Sequence, residues 1–265
     1  MASISCEAIL LRAVEFGESD LVVHLLTSEL GRFTAIAKGA RRSRRRFPGT
    51  LDLFNHLAIE GRTRPRGGMG FLERARLVDA HLGLRRDPAC YALASFLTEL
   101  LDRLSPESLE REEAERLFEL ASESLSLLEG VRPTPGLRVL LELHVLEALG
   151  LRPELGRCVR CGKAPADSIS PDHVVQFHVP DGGIVCTACA RGQDGLVSVA
   201  LGTLRALSAG LALPLARLAE HPLGPRGVAE AARLVFRFQR FHVGVELRSE
   251  RFLDQILPIP GPGTG

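Results

Sequence analysis

Cys158 and Cys161, followed by Cys186 and Cys189, form two Cys-x-x-Cys pairs, and no other feature restricts the fold of this chain so strongly. Each pair sets two thiols one tight turn apart, and the stretch 162–185 between them is long enough to fold back and complete a tetrahedron of sulfurs. Four sulfur ligands leave no position for a water, so a metal held here staples the fold rather than performing catalysis. Structural zinc, one ion per chain, is the expected occupant. An iron–sulfur cluster on the same ligands, or two disulfides, are the alternatives; a redox dithiol fits poorly, because it uses a single pair beside a βαβ unit. Gly162 follows the first pair and Asp181-Gly182-Gly183 precedes the second, where residues able to take positive φ ease a hairpin. His173 and His178, inside the loop, read as surface histidines rather than ligands.

The 265 residues allow one large or two modest domains, and 45% apolar content is that of a globular protein. No run reaches the ~18 apolar residues needed to span a bilayer, and the first residues lack the basic and apolar regions of a secretory signal. A cytoplasmic location is expected, and metal-spaced thiols suit its reducing conditions. Cys6 and Cys90 read as buried free thiols.

The net charge of +1 hides an asymmetry: up to Arg85 there are 14 cations against 9 carboxylates, and beyond it 19 against 23. Residues 1–82 read as five strands, at about 4–14, 21–27, 32–38, 51–59 and 71–81, punctuated by glycines and Pro48-Gly49. Five short strands in so few residues suit a small Greek-key barrel of the OB-fold kind. From Pro88 the apolar spacing turns helical, which places helices at 93–104, after the acidic run Glu110 to Glu115, at 137–149, at 201–213 and at 227–246. In the last, Leu234, Val235, Phe238, Phe241 and Val245 mark a buried side, and Arg233, Arg237 and Arg240 another. The expected class is therefore α+β and multidomain: an OB-fold β-barrel over 1–82, an α-helical domain over 83–257 with the four-cysteine knuckle inserted at about 155–195, and a disordered tail over 258–265.

Between Glu29 and Asp52 there is no acidic residue, while Arg32, Lys38, Arg41, Arg42, Arg44, Arg45 and Arg46 supply seven positive charges. Arg62, Arg64 and Arg66 form a second basic loop between the fourth and fifth strands, a loop that flanks the nucleic-acid groove of OB-folds. Each guanidinium can hold a phosphate bidentately, so two basic loops on one barrel point to a polyanion. With no Trp and one Tyr, stacking platforms are few; Phe33, Phe47, Phe54 and Phe71 are the barrel's candidates, most of them expected in the core. No nucleotide-binding, zinc-protease or nucleophile-elbow motif is present, and Glu18 and Asp20 read as a loop cap rather than a nuclease pair. The chain is not expected to be an enzyme.

Several segments in this order carry a family likeness: Phe16-Gly17-Glu18-Ser19-Asp20-Leu21-Val22-Val23, Leu26-Thr27-Ser28-Glu29-Leu30-Gly31-Arg32-Phe33, Ala37-Lys38-Gly39-Ala40-Arg41-Arg42-Ser43 and Cys158-Val159-Arg160-Cys161-Gly162. With the architecture above they resemble the RecO family of bacterial recombination mediators. The resemblance implies DNA repair through RecF-pathway recombination at the nucleoid, binding of single- and double-stranded DNA, and annealing of complementary strands. It also implies action with RecR, docking of the C-terminal tail of single-strand-binding protein, and help in loading RecA on strands coated by that protein. Arg138 and the arginines of the last helix are candidates for the tail. The competing reading is a zinc-stabilised protein-interaction adaptor without direct DNA activity.

Overall fold

Fifteen consecutive extended residues, Ala2–Phe16, form β1 of a computed structural model that describes residues 2–64, 68–244 and 246–259. The first half of β1 pairs antiparallel with β4 (His56–Thr63), the second half with β2 (Asp20–Thr27). A bulge between Leu10 and Arg12 lets one strand bend between the two partners. With β3 (Gly31–Ala37) and β5 (Gly70–Asp79) the sheet closes in the order β1-β2-β3-β5-β4, the five-stranded Greek-key arrangement of an OB-fold.

Alternation drives this closure. Phe33, Ala35 and Ala37 point inward with Ile4, Ala8, Leu10, Val23, Leu25, Leu57, Ile59, Leu72 and Ala75, while Arg32, Thr34 and Ile36 face away. The closing seam is parallel and short, Ala35 opposite Gly70 and Ile36 opposite Phe71. Gly70 permits it: a Cβ there would lie 2.5 Å from the Arg62 carbonyl oxygen and 2.6 Å from the Phe33 ring.

The fourth strand starts at His56, not at residue 51 as its apolar content suggests. Phe54 adopts a left-handed φ of 71°, which drops its ring into the interior, edge-on to Tyr91 at 5.4 Å. The Asn55 amide then donates to the Thr50 carbonyl at 2.8 Å, fixing 50–55 as a turn.

Helix α1 (Pro88–Leu104) begins with Asp87 accepting from the Ala89 amide and proline in its first turn; α3 (Pro135–Ala148) repeats the device with Thr134 and Leu137. Between them α2 (Arg111–Gly130) carries Glu112 and Glu113 at its positive end. By packing, the chain divides into compact units of Met1–Arg132 and Pro133–Gly265, so α1 and α2 lie with the barrel. The sequence-based division at 82/83 follows the change from strands to helices instead.

In the second unit, α3 is buried almost all round, through Leu137, Val139, Leu140, Leu141, Leu143, Val145 and Leu146. The expected insertion contains more than a knuckle: β6 (Val174–His178), β7 (Gly183–Val185) and β8 (Leu196–Ala200) form a sheet in the order β7-β6-β8, with a short α4 (Thr187–Ala190) after β7. Helices α5 (Leu201–Leu211) and α6 (Pro225–Val243) follow, α6 laying Phe238 edge-on against Phe177 of β6 at 6.1 Å. A last helix, α7 (Arg248–Ile256), has no counterpart in the sequence reading. On α6, Leu234, Val235 and Phe238 are buried as expected, but Phe241 is exposed; Val245 and most of the expected tail lie outside the described residues.

Candidate nucleic-acid interface and metal centre

The barrel's cations separate into four groups. Arg32 turns inward: its Nη1 donates to the Asp102 carbonyl at 3.1 Å and its Nη2 to Glu107 at 3.0 Å, so β3 is tied to α1 and the guanidinium is spent on structure. His24 holds the buried Asp102 carboxylate from β2, Nδ1 to Oδ1 2.5 Å. Arg41 and Arg62 are exposed but neutralised, by Glu15 at 3.1 Å and Glu73 at 2.8 Å. Arg42, Arg44 and Arg45 are exposed, and among the described residues their guanidinium groups have no ion-pair or hydrogen-bond partner.

The fourth group gathers at the β3–β5 seam. Lys38 Nζ lies 5.5 Å and the Arg64 guanidinium 5.7 Å from the centroid of Phe71, a half-buried ring. Arg46 reaches back to the Lys38 carbonyl at 2.6 Å while covering the buried Phe47, which fixes the start and end of the basic loop together. Phe33, Phe47 and Phe54 are core residues, so Phe71 alone of the four offers a face to a ligand. Asp20 caps the loop entrance, accepting from the Gly39 amide at 2.7 Å, as expected of a loop carboxylate. Arg66 lies outside the described residues.

In the second unit the sulfurs of Cys158, Cys161, Cys186 and Cys189 all lie within 4.8 Å of one another, and those of Cys161 and Cys186 are 3.8 Å apart. Two local structures aim them. The first pair sits on a turn in which the Gly162 amide donates to the Cys158 carbonyl at 2.8 Å and Cys158 donates to Lys163 at 2.9 Å; Cys186 opens α4, whose turn returns Cys189. Gly162 and Gly182 take positive φ of 73° and 70°, the freedom their positions ask for, and Gly182 turns β6 into β7. Arg160 locks the halves by donating to Asp181 at 2.7 Å, Gln193 at 2.9 Å and the Cys189 carbonyl at 3.4 Å.

Burial works against ionising Cys158, but the backbone N–H groups of Cys186, Cys161 and Arg160 directed at its sulfur hold it down to about 6. The neighbouring Cys186 pushes Cys189 up to about 12. Sulfurs this close share protons unless a cation compensates them, and the four together can hold a metal ion. His173 is exposed, as read from sequence, whereas His178 is buried on β6 beside Asp181 at 3.0 Å. Cys90 is buried and Cys6 half-buried, and burial drives the Cys6 thiol up to about 12. Sequence reasoning missed one further cluster: His81, buried at φ 43°, faces Glu129 at 2.9 Å, with Asp79 accepting from its amide. These hydrogen bonds, one local and one to α2, hold the end of β5. Arg138, a candidate for tail docking, is buried, bonding the Leu257 carbonyl and Asp254.

A five-stranded OB barrel with an open basic seam, followed by a helical unit bearing a four-cysteine knuckle, defines a class of barrel-plus-knuckle protein. The match to known proteins is specific within that class. Residues 1–81 match the family model "Recombination protein O N terminal" and residues 85–251 match "Recombination protein O C terminal". The "DNA repair protein RecO" of Anaeromyxobacter sp. (strain K) is 38% identical over 261 residues, 98% of this chain and 100% of that protein. Those of Myxococcus xanthus and Symbiobacterium thermophilum are 33% and 32% identical, over 94% and 97% of this chain and 96% and 98% of theirs. The chain belongs to the recombination protein O family, and this membership supports a role in DNA repair and recombination. No helix among the described residues is long and apolar enough to cross a membrane.

Proposed function

We propose that the chain is a non-enzymatic recombination mediator that binds single- and double-stranded DNA on its barrel, anneals complementary strands and, with RecR, helps load RecA on DNA coated by single-strand-binding protein. The observation that carries this reading is the set of cations without a carboxylate partner among the described residues, Lys38, Arg42, Arg44, Arg45 and Arg64, on the basic loops of one small barrel, two of them flanking the open ring of Phe71. Guanidinium groups displace counterions from phosphates and lower the repulsion that keeps two strands apart. Phe71 supplies a face on which an unpaired base stacks. No bond is made or broken in this scheme, so the protein needs only charge and shape. The tail of single-strand-binding protein docks on the helical unit, and the chain works in the cytoplasm at the nucleoid.

The metal is zinc, one per chain, with Cys158, Cys161, Cys186 and Cys189 as its ligands and a structural task. A tetrahedral zinc with bonds of ~2.3 Å has sulfur–sulfur edges of about 3.8 Å, and the Cys161–Cys186 separation is 3.8 Å. The test of function is annealing of complementary strands precoated with single-strand-binding protein, with and without RecR. Accelerated annealing is expected. Absence of DNA affinity at low salt, with protein partners retained after nuclease treatment, would instead establish the zinc-stabilised adaptor.

A further inference from the structure

One helix flank in the second unit combines charge with exposed aromatic surface. On α6, Arg233, Phe236, Arg237, Arg240 and Phe241 follow the i, i+3, i+4, i+7, i+8 spacing of a single face, while Val228, Ala231, Leu234, Val235 and Phe238 bury the other. Phe236 is 41% and Phe241 57% exposed, against a strong tendency for such rings to be covered. Arg240 lies 5.3 Å from the Phe236 ring centroid. Arg233 and Arg237 donate to the Ser198 and Leu196 carbonyls at 2.9 and 3.4 Å. Those acceptors are neutral, so both guanidinium charges stay uncompensated and their forks are held along the edge of β8. Of the three, only Arg240 has a carboxylate among the described residues, that of the exposed Glu246, which a phosphate must displace, so Arg233 and Arg237 are the stronger phosphate contacts.

We infer that this flank of α6 is a second nucleic-acid contact surface, which takes a single strand with phosphates on Arg233, Arg237 and Arg240 and bases on Phe236 and Phe241. The inference rests on the proposed annealing role, because a mediator that pairs two strands must hold a second one. An acidic peptide shares the charge requirement, but its apolar side chains need a hole to fill. The two rings are exposed, and neither lines the cavity between Cys158 and Ala190 nor the one between Arg152 and Leu211. A base needs only a face.

The test uses the full metal-loaded chain and short oligothymidine carrying 4-thiothymidine. Photo-crosslinks are expected on peptides containing Phe236 or Phe241 as well as on the barrel, and native mass spectrometry should count two strands per chain. F236A/F241A, with both side chains already in solvent, should keep first-strand affinity and reduce the count to one, second-strand binding weakening at least about fivefold per ring. Crosslinks confined to the barrel, an unchanged count in the variant, or displacement of an oligoglutamate peptide but not of DNA from α6 would each overturn the inference. Crosslinks on α6 that persist while R42Q/R44Q/R45Q leaves binding unaltered would sustain the α6 surface and sink the barrel assignment.

Discussion

Replacing Arg42, Arg44 and Arg45 together by glutamine removes three exposed guanidinium groups that have no carboxylate partner among the described residues, and leaves every described contact of the barrel intact. Each phosphate neutralised on a single strand contributes about 0.7 to the slope of log affinity against log salt, so the triple variant should lose roughly 2 from that slope. Over a fourfold rise in salt the unaltered protein then loses roughly 16-fold more affinity than the variant does. Arg41→Gln with Arg62→Gln provides the control. Those cations already face Glu15 and Glu73 at 3.1 and 2.8 Å, and a phosphate reaches them only by displacing a carboxylate, so their loss should change the slope by less. Fluorescence anisotropy of a labelled oligonucleotide, titrated at several salt concentrations, reads all three proteins. A triple variant with an unchanged slope, or a control pair that lowers it as far as the triple does, would refute the idea that unpaired charge decides binding.

Three further outcomes are expected. Structural zinc sites contribute on the order of 10 kcal/mol of metal-binding free energy; Cys158→Ser should therefore lower metal content and melting midpoint together, read by elemental analysis and calorimetry. Phe54→Ala empties a wholly buried site and should cost about 3–5 kcal/mol in urea denaturation. Glu142 on α3 is buried, and desolvation, opposed by Arg138 and reinforced by Glu250 and Asp254 of α7, pushes its carboxyl up to about 8. The folded protein thus favours the protonated form: the stability it lends is full below the ordinary value of 4.5 and is lost as pH rises through about 8. Glu142→Gln should flatten that decline in urea midpoints.

Local patterns made much of this molecule legible. The first three strands are bounded by glycine turns and alternate cleanly, and the four cysteines announced their own cluster, because ligand spacing is a property of sequence neighbours. What escaped depends on partners far along the chain. Arg32 belongs to the same basic run as Arg41, but Asp102 and Glu107, about seventy residues on, draw it inward. The strand start at His56 was hidden because Phe54 is apolar yet sits in a left-handed turn. The sheet β6–β8 is built of very short segments whose pairing supplies what their individual length does not. Phe241 fits a buried helical register, and only the placement of the neighbouring sheet and helices leaves it in solvent.

Barrel closure depends on a parallel seam of two residue pairs, with Lys38 on one bank and Arg64 close to the other. A phosphate chain draped over Phe71 would act as a suture across the weakest join of the cylinder. Occupancy and resistance to unfolding would then be one quantity measured two ways, and hydrogen exchange at Ala35, Ile36 and Phe71 should slow in proportion to saturation.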